Sequence, residues 1–114
     1  MSKREQADDG PLGTFEEQVM LAVLREGNEA YAMAVRRELE ALTDRSVAIG
    51  SVYVTLDRLE AKGLIASSRA QRGESISRRL FVVTPEGVAA LSRTRTMRER
   101  FWKGVELRPH VKNA

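Results

Sequence analysis

The 114-residue chain is 42% hydrophobic and 31% charged, the balance of a single soluble domain with a modest core. It has no cysteine, which excludes disulfides, thiolate nucleophiles and thiolate metal sites, and a lone histidine, His110, cannot hold a metal by itself. The formal net charge of +3 is unevenly spread: residues 1–13 sum to −1, residues 14–44 to −4, and residues 45–79 and 80–114 to +4 each. Basic charge gathered in the second half suits a face that meets a polyanion, although a solvated basic surface would show the same segregation.

Residues 1–13 read as a flexible N-terminal tail. Lys3, Arg4, Glu5, Asp8 and Asp9 have no apolar stretch behind them, and the longest apolar run, residues 19–24, is six residues long. A cytoplasmic chain with no membrane span is expected. Thr14-Phe15-Glu16-Glu17 reads as a capping box that opens a helix with Phe15, Val19, Ala22 and Val23 on one face and Gly27 as its stop. Tyr31, Val35, Leu39 and Leu42 recur at spacings of four, four and three, which predicts a second helix ended at Thr43-Asp44. Residues 47–49 are a short apolar segment with the look of a strand stub.

A third helix is expected over residues 50–62, with a narrow apolar stripe of Val52, Leu56 and Leu59. Its other side presents Val54, Asp57, Arg58 and Ala61, flanked by Ser51 and Tyr53, and Gly63 suits a left-handed cap. Residues 64–69 and 78–83 read as two strands joined by a polar stretch whose glycine allows a turn. Thr84-Pro85-Glu86 starts a last helix: N-cap threonine, proline in the first turn, then an acid. The order of three helices, two strands and a helix is that of a winged helix-turn-helix. The fold class is mainly α with a β-wing, plus a C-terminal dimerisation helix: winged DNA-binding domain over residues 14–84, last helix over 85–103, and a tail over 104–114.

The stretch Gly50-Ser51-Val52-Tyr53-Val54-Thr55-Leu56-Asp57-Arg58-Leu59-Glu60, closed by Lys62-Gly63-Leu64-Ile65, resembles the recognition-helix signature of the PadR family of transcriptional regulators. Arg78-Arg79-Leu80-Phe81-Val82-Val83-Thr84-Pro85-Glu86-Gly87 resembles that family's second landmark, at the end of the wing. The resemblance spans residues 14–91. Val54 stands where the family commonly has proline, and Leu80 and Phe81 stand where it commonly has two tyrosines. The resemblance implies a repressor that binds double-stranded operator DNA as a homodimer, relieved by a small aromatic effector.

The residues support a DNA-binding face independently. A helix in the major groove needs small or hydrogen-bonding side chains near its start; Gly50, Ser51, Tyr53 and Thr55 supply them, and Val54 on the exposed side joins them as a candidate DNA contact. Tyr53 either donates to a phosphate or packs at the helix edge. Arg58 either meets phosphate or guanine or is simply solvated, and Asp57 is expected to pair with a neighbouring basic residue. Arg72, Arg78 and Arg79 surround the wing turn, with Lys62 and Arg69 close in sequence, a cluster suited to tracking phosphates.

In the last helix Ala90, Thr94, Met97 and Phe101 form a heptad seam, the expected dimer contact, while Val88 and Leu91 are expected to continue the winged core. Trp102 beside that seam either stacks on a flat aromatic ligand, as the resemblance implies, or packs against protein. No cofactor or metal is expected, and no nucleophile, acid-base or phosphate-loop constellation points to an enzyme. The alternative function is a winged protein-interaction module that does not touch DNA, because both faces of the second strand carry apolar residues.

Overall fold

The computed structural model describes residues 10–72 and 76–108. In chain order it contains α1 (Thr14–Glu26), a 3-10 turn (Gly27–Glu29), α2 (Ala32–Thr43), α3 (Ile49–Ala61), β1 (Ile65–Arg72), β2 (Ile76–Val83) and α4 (Pro85–Trp102). The helices α1, α2 and α3 pack around one core with Val19, Met20, Val35, Leu39, Val52, Leu56 and Leu59 all buried. The stripes that helical periodicity picks out are the stripes the fold buries. The winged fold class expected from the element order is present. Among the described residues no helix is long and apolar enough to cross a membrane.

The start of α1 differs from expectation by one residue. Gly13 is the N-cap, and its amide donates to Glu16 Oε1 at 3.0 Å. Glu17, the expected partner of Thr14, is drawn instead to Arg98 of α4. The adjoining segment is also tied down: the Leu12 amide donates to Thr94 Oγ1 at 3.0 Å and Leu12 packs against the core, so the expected tail does not extend to residue 13.

α2 buries Val35 and Leu39 as expected, but Tyr31 lies outside the helix as its N-cap and is only half-buried. Leu42 is exposed in the final turn. Residues 47–49 form no strand. The Val47 amide donates to Glu40 Oε2 and its carbonyl accepts from Arg36 Nε, both at 2.9 Å, so side chains of α2 satisfy the backbone that a strand partner would otherwise serve.

α3 closes on Gly63, whose φ of 78° is the left-handed conformation, with Leu64 N bonded to Leu59 O at 3.0 Å and Gly63 N to Glu60 O at 2.9 Å. The two strands pair antiparallel from Ile65↔Val83 to Arg72↔Ile76. They run further than expected because the backbone ladder continues to Arg72↔Ile76, and such a ladder needs only main-chain N–H and C=O groups. Phe81 N donates to Ala30 O at 2.9 Å, which joins the wing to the segment entering α2.

Thr84 caps α4 as expected, accepting from Gly87 N at 3.0 Å and donating to Gly63 O at 2.7 Å. Gly87 permits this close docking: a Cβ there would lie 2.1 Å from Leu64 O and 2.7 Å from Val83 Cγ1. The nearest obstacle is backbone and cannot rotate aside. Gly87→Ala is expected to cost about 1–3 kcal/mol of stability, the range for overpacking, read as a lowered urea midpoint. An unchanged midpoint would mean that α4 can shift at no cost.

Candidate nucleic-acid interface

α3 divides cleanly between two environments. Val52, Leu56 and Leu59 are fully buried, while Gly50, Ser51, Tyr53, Val54, Asp57 and Arg58 are exposed. Thr55 is a correction: it is only 3% exposed. It lies three residues after Val52 and four before Leu59, so the helix turns it into the core, where it cannot reach a base.

The two wing arginines have different occupations. Arg79 Nη2 donates to Asp57 Oδ1 at 3.0 Å and to Glu60 Oε1 at 2.7 Å, Nε donates to Ser67 Oγ at 3.3 Å, and the guanidinium lies 4.9 Å from the centre of the Phe81 ring. Hydrogen bonds from Ser67 and then Arg79 hold the Glu60 carboxyl below the usual carboxylate range. Asp57 thus has the basic partner expected for it. Arg78, by contrast, is exposed and lies over the Tyr31 ring at 4.2 Å from its centre. Arg37 Nη2 donates to the Tyr31 hydroxyl at 3.1 Å, and hydrogen bonds from Arg37 and Arg78 hold that hydroxyl below the usual phenol range. Arg72 ends β1, and its side chain lies outside the described residues, as do residues 73–75 and His110.

Between the start of α2, α3 and the wing lies a groove of about 410 Å³ lined by Tyr31, Ala32, Met33, Tyr53, Arg69, Arg78 and Arg79. Tyr31 is the residue that sequence reading missed, because helical spacing assigned it to the core of α2. The overlooked signal is its hydroxyl, which favours a position with one end wet. On the other flank Arg58 and Lys62 lie 3.6 and 3.1 Å from Glu16 Oε2. Burial acts to raise the Glu16 pKa, but the Gly13 amide, Lys62 and Arg58 outweigh it and leave the group below its ordinary value. An exposed helix face with short side chains near its start, beside a groove lined by arginines, is suited to a polyanion whose backbone runs along the rim.

The proposed seam on α4 is split by the structure. Gly87, Ala90, Leu91 and Thr94 are buried against the chain's own domain, so Ala90 and Thr94 are core residues, not contacts held open for a partner. Val88, expected in the core, is exposed. The cause is geometric: Gly87, Ala90, Leu91 and Thr94 follow the i, i+3, i+4, i+7 pattern of one face, and Val88 lies to one side of it. The same face outruns the domain. Met97 is half-buried, Phe101 is 75% exposed and Trp102, at the helix end, is 56% exposed.

A family model described as the transcriptional regulator PadR-like family matches residues 20–93. Among solved structures, the chain is 26% identical to H. salinarum RosR in the hsRosR-S4 complex structure, with a TM-score of 0.69 over 88% of this chain and 82% of that one. A PadR-like transcription factor from Bacteroides fragilis is 20% identical, with a TM-score of 0.67 over 86% and 89% of the two chains. A PadR family transcription regulator from Clostridium difficile is 24% identical, with a TM-score of 0.60 over 78% and 91%. The last two speak for the fold alone. No curated protein matches the chain.

Proposed function

Because the chain belongs to the PadR-like family of transcriptional regulators, we propose that it is a repressor that binds double-stranded operator DNA in a sequence-specific manner as a homodimer. The observation that carries this reading is the exposed face of α3, Gly50, Ser51, Tyr53, Val54 and Arg58, set beside a groove lined by Arg69 and Arg78. Major-groove entry needs that combination: short or polar side chains toward the bases, cations toward the phosphates. The exposed apolar end of α4 supports a second copy as the partner. Relief by a small flat aromatic molecule belongs to the same reading, with the exposed indole of Trp102 as the stacking surface.

Titration of duplex DNA from upstream of the gene, over a range of salt concentrations, tests the proposal. Affinity should fall steeply as salt rises. Arg78→Gln should flatten the slope of log affinity against log salt by about 0.9, the loss of one phosphate contact. Arg79→Gln should change that slope little, because Asp57 and Glu60 already occupy its charge. Equal slopes for wild type and Arg78→Gln would remove Arg78 from the interface.

One observation favours a second reading, a winged module that binds protein. Val82, paired with Ala66, is exposed on the outer side of the wing. Absence of any salt-sensitive binding to duplex DNA would favour it.

A further inference from the structure

At about 100° per residue, Gly50, Val54, Asp57 and Ala61 fall within about 60° of one another on α3, opposite the buried stripe. All four are exposed. This is the line of the helix that would lie deepest in a groove, with Tyr53 and Arg58 on its two flanks. Glycine, valine and alanine offer no hydrogen bond from their side chains. Asp57 is the one residue on the line that can read a base edge by polar contact.

A bare carboxylate at this position would be repelled by the phosphates. The structure reduces that objection. Arg79 binds Asp57 Oδ1 at 3.0 Å and is itself fixed by Glu60, Ser67 and the Phe81 ring, so the charge of Asp57 is partly countered by a cation that it shares with Glu60 and that has little freedom to leave. The Asp57 side chain still keeps 59% of its surface exposed. One carboxylate oxygen is therefore oriented by the wing, and the group as a whole remains open to a ligand.

We propose that Asp57, held by Arg79, is a specificity-determining residue that accepts a hydrogen bond from the exocyclic amino group of a cytosine in the major groove. Cytosine presents a donor there, N4. Guanine and thymine present acceptors, which a carboxylate repels, and adenine places its N7 acceptor beside its amino group. Arg79 is a positioning residue that acts through Asp57. The inference rests on the DNA-binding reading above and adds the base that is read.

The test is selection from a library of duplexes with a randomised central segment, sequenced after binding to the full chain. Wild type should show a cytosine preference of about fivefold or more at one position in each half-site. Asp57→Ala should erase the preference at that position and leave the others. Asp57→Asn should move it to adenine, because an amide can pair with adenine N6 and N7 together. Arg79→Gln should weaken the same preference without moving it to another base. If Asp57→Ala and Arg79→Gln change affinity equally for all duplexes, the pair is only a clamp between wing and helix, and the inference is overturned while the DNA reading stands. If wild type itself enriches no sequence, both fall together.

Discussion

Replacing Phe81 with alanine is expected to lower the free energy of unfolding by about 3–5 kcal/mol, the range for removing a buried phenylalanine. Phe81 is 1% exposed and is the largest of the fully buried side chains. It belongs to the same core cluster as Met20 and Leu56, so its ring, together with Ile65 of β1, links the wing to the helices. Its other contact is the Arg79 guanidinium, which in turn holds Asp57 and Glu60. The backbone bond from Phe81 N to Ala30 O is independent of the side chain and should survive. A small domain is stable by only about 5–15 kcal/mol in total, so the variant should be close to unfolding at growth temperature. A urea titration would show a much lower midpoint with an unchanged slope. Phe81→Leu should cost less, since most of the volume is restored. A loss below about 1 kcal/mol for the alanine variant, well under the range for a buried phenylalanine, would mean that Ile65, Val83 and the polar contacts hold the wing without the Phe81 ring.

The sequence announced those parts of the fold that local rules govern. Val52, Leu56 and Leu59 could only be one stripe of a helix, and Thr84-Pro85-Glu86 could only open one. Gly63 ended α3 with the positive φ expected of it. The errors fall where a side chain answers to a distant partner. Glu17 left its local cap for Arg98, eighty-one residues away. Arg78 and Arg79 are adjacent and chemically identical, yet one lies over Tyr31 and the other is occupied by two carboxylates of α3. No spacing rule distinguishes them. Thr55 departs from expectation for a different reason: its hydroxyl suits a surface, but the helix turns it inward. Its position between Val52 and Leu59 carried the better signal.

The seam on α4 shows the same limit at larger scale. A periodic stripe states that one face of a helix is covered, but not by what. Where α4 runs beside the winged domain, the domain covers it through Ala90, Leu91 and Thr94. Beyond Thr94 the domain reaches α4 through the Glu17–Arg98 ion pair, and the apolar stripe continues past it. Phe101, Trp102, Val105 and Leu107 are all exposed, a concentration of apolar surface that a monomer seldom presents.

Substituting both Phe101 and Trp102 by glutamate is therefore expected to separate the proposed homodimer and to abolish specific DNA binding, while the winged domain stays folded. The pair replaces the Met97 and Phe101 seam that spacing alone suggests, because Met97 is half-buried and Phe101 and Trp102 are the open aromatic surface. A two-fold contact brings each patch against its own copy or close neighbours. Two carboxylates from each subunit would then face desolvation and mutual repulsion, several kcal/mol for each one that is buried. The winged domain does not depend on either exposed ring, since α4 is held to it by the buried Gly87, Ala90, Leu91 and Thr94 and by the Arg98–Glu17 ion pair. DNA binding should fail for a reason of geometry. Two recognition helices reach successive half-sites about 34 Å apart only when the subunits are joined. A single domain would keep weak, salt-sensitive binding to any sequence, typically weaker by a factor of about 10³ or more than specific binding. Sedimentation at micromolar concentration, with circular dichroism to establish folding, gives the answer. A folded double variant that remains a dimer of unchanged stability would place the interface elsewhere, and the stripe beyond Thr94 would then have some other partner.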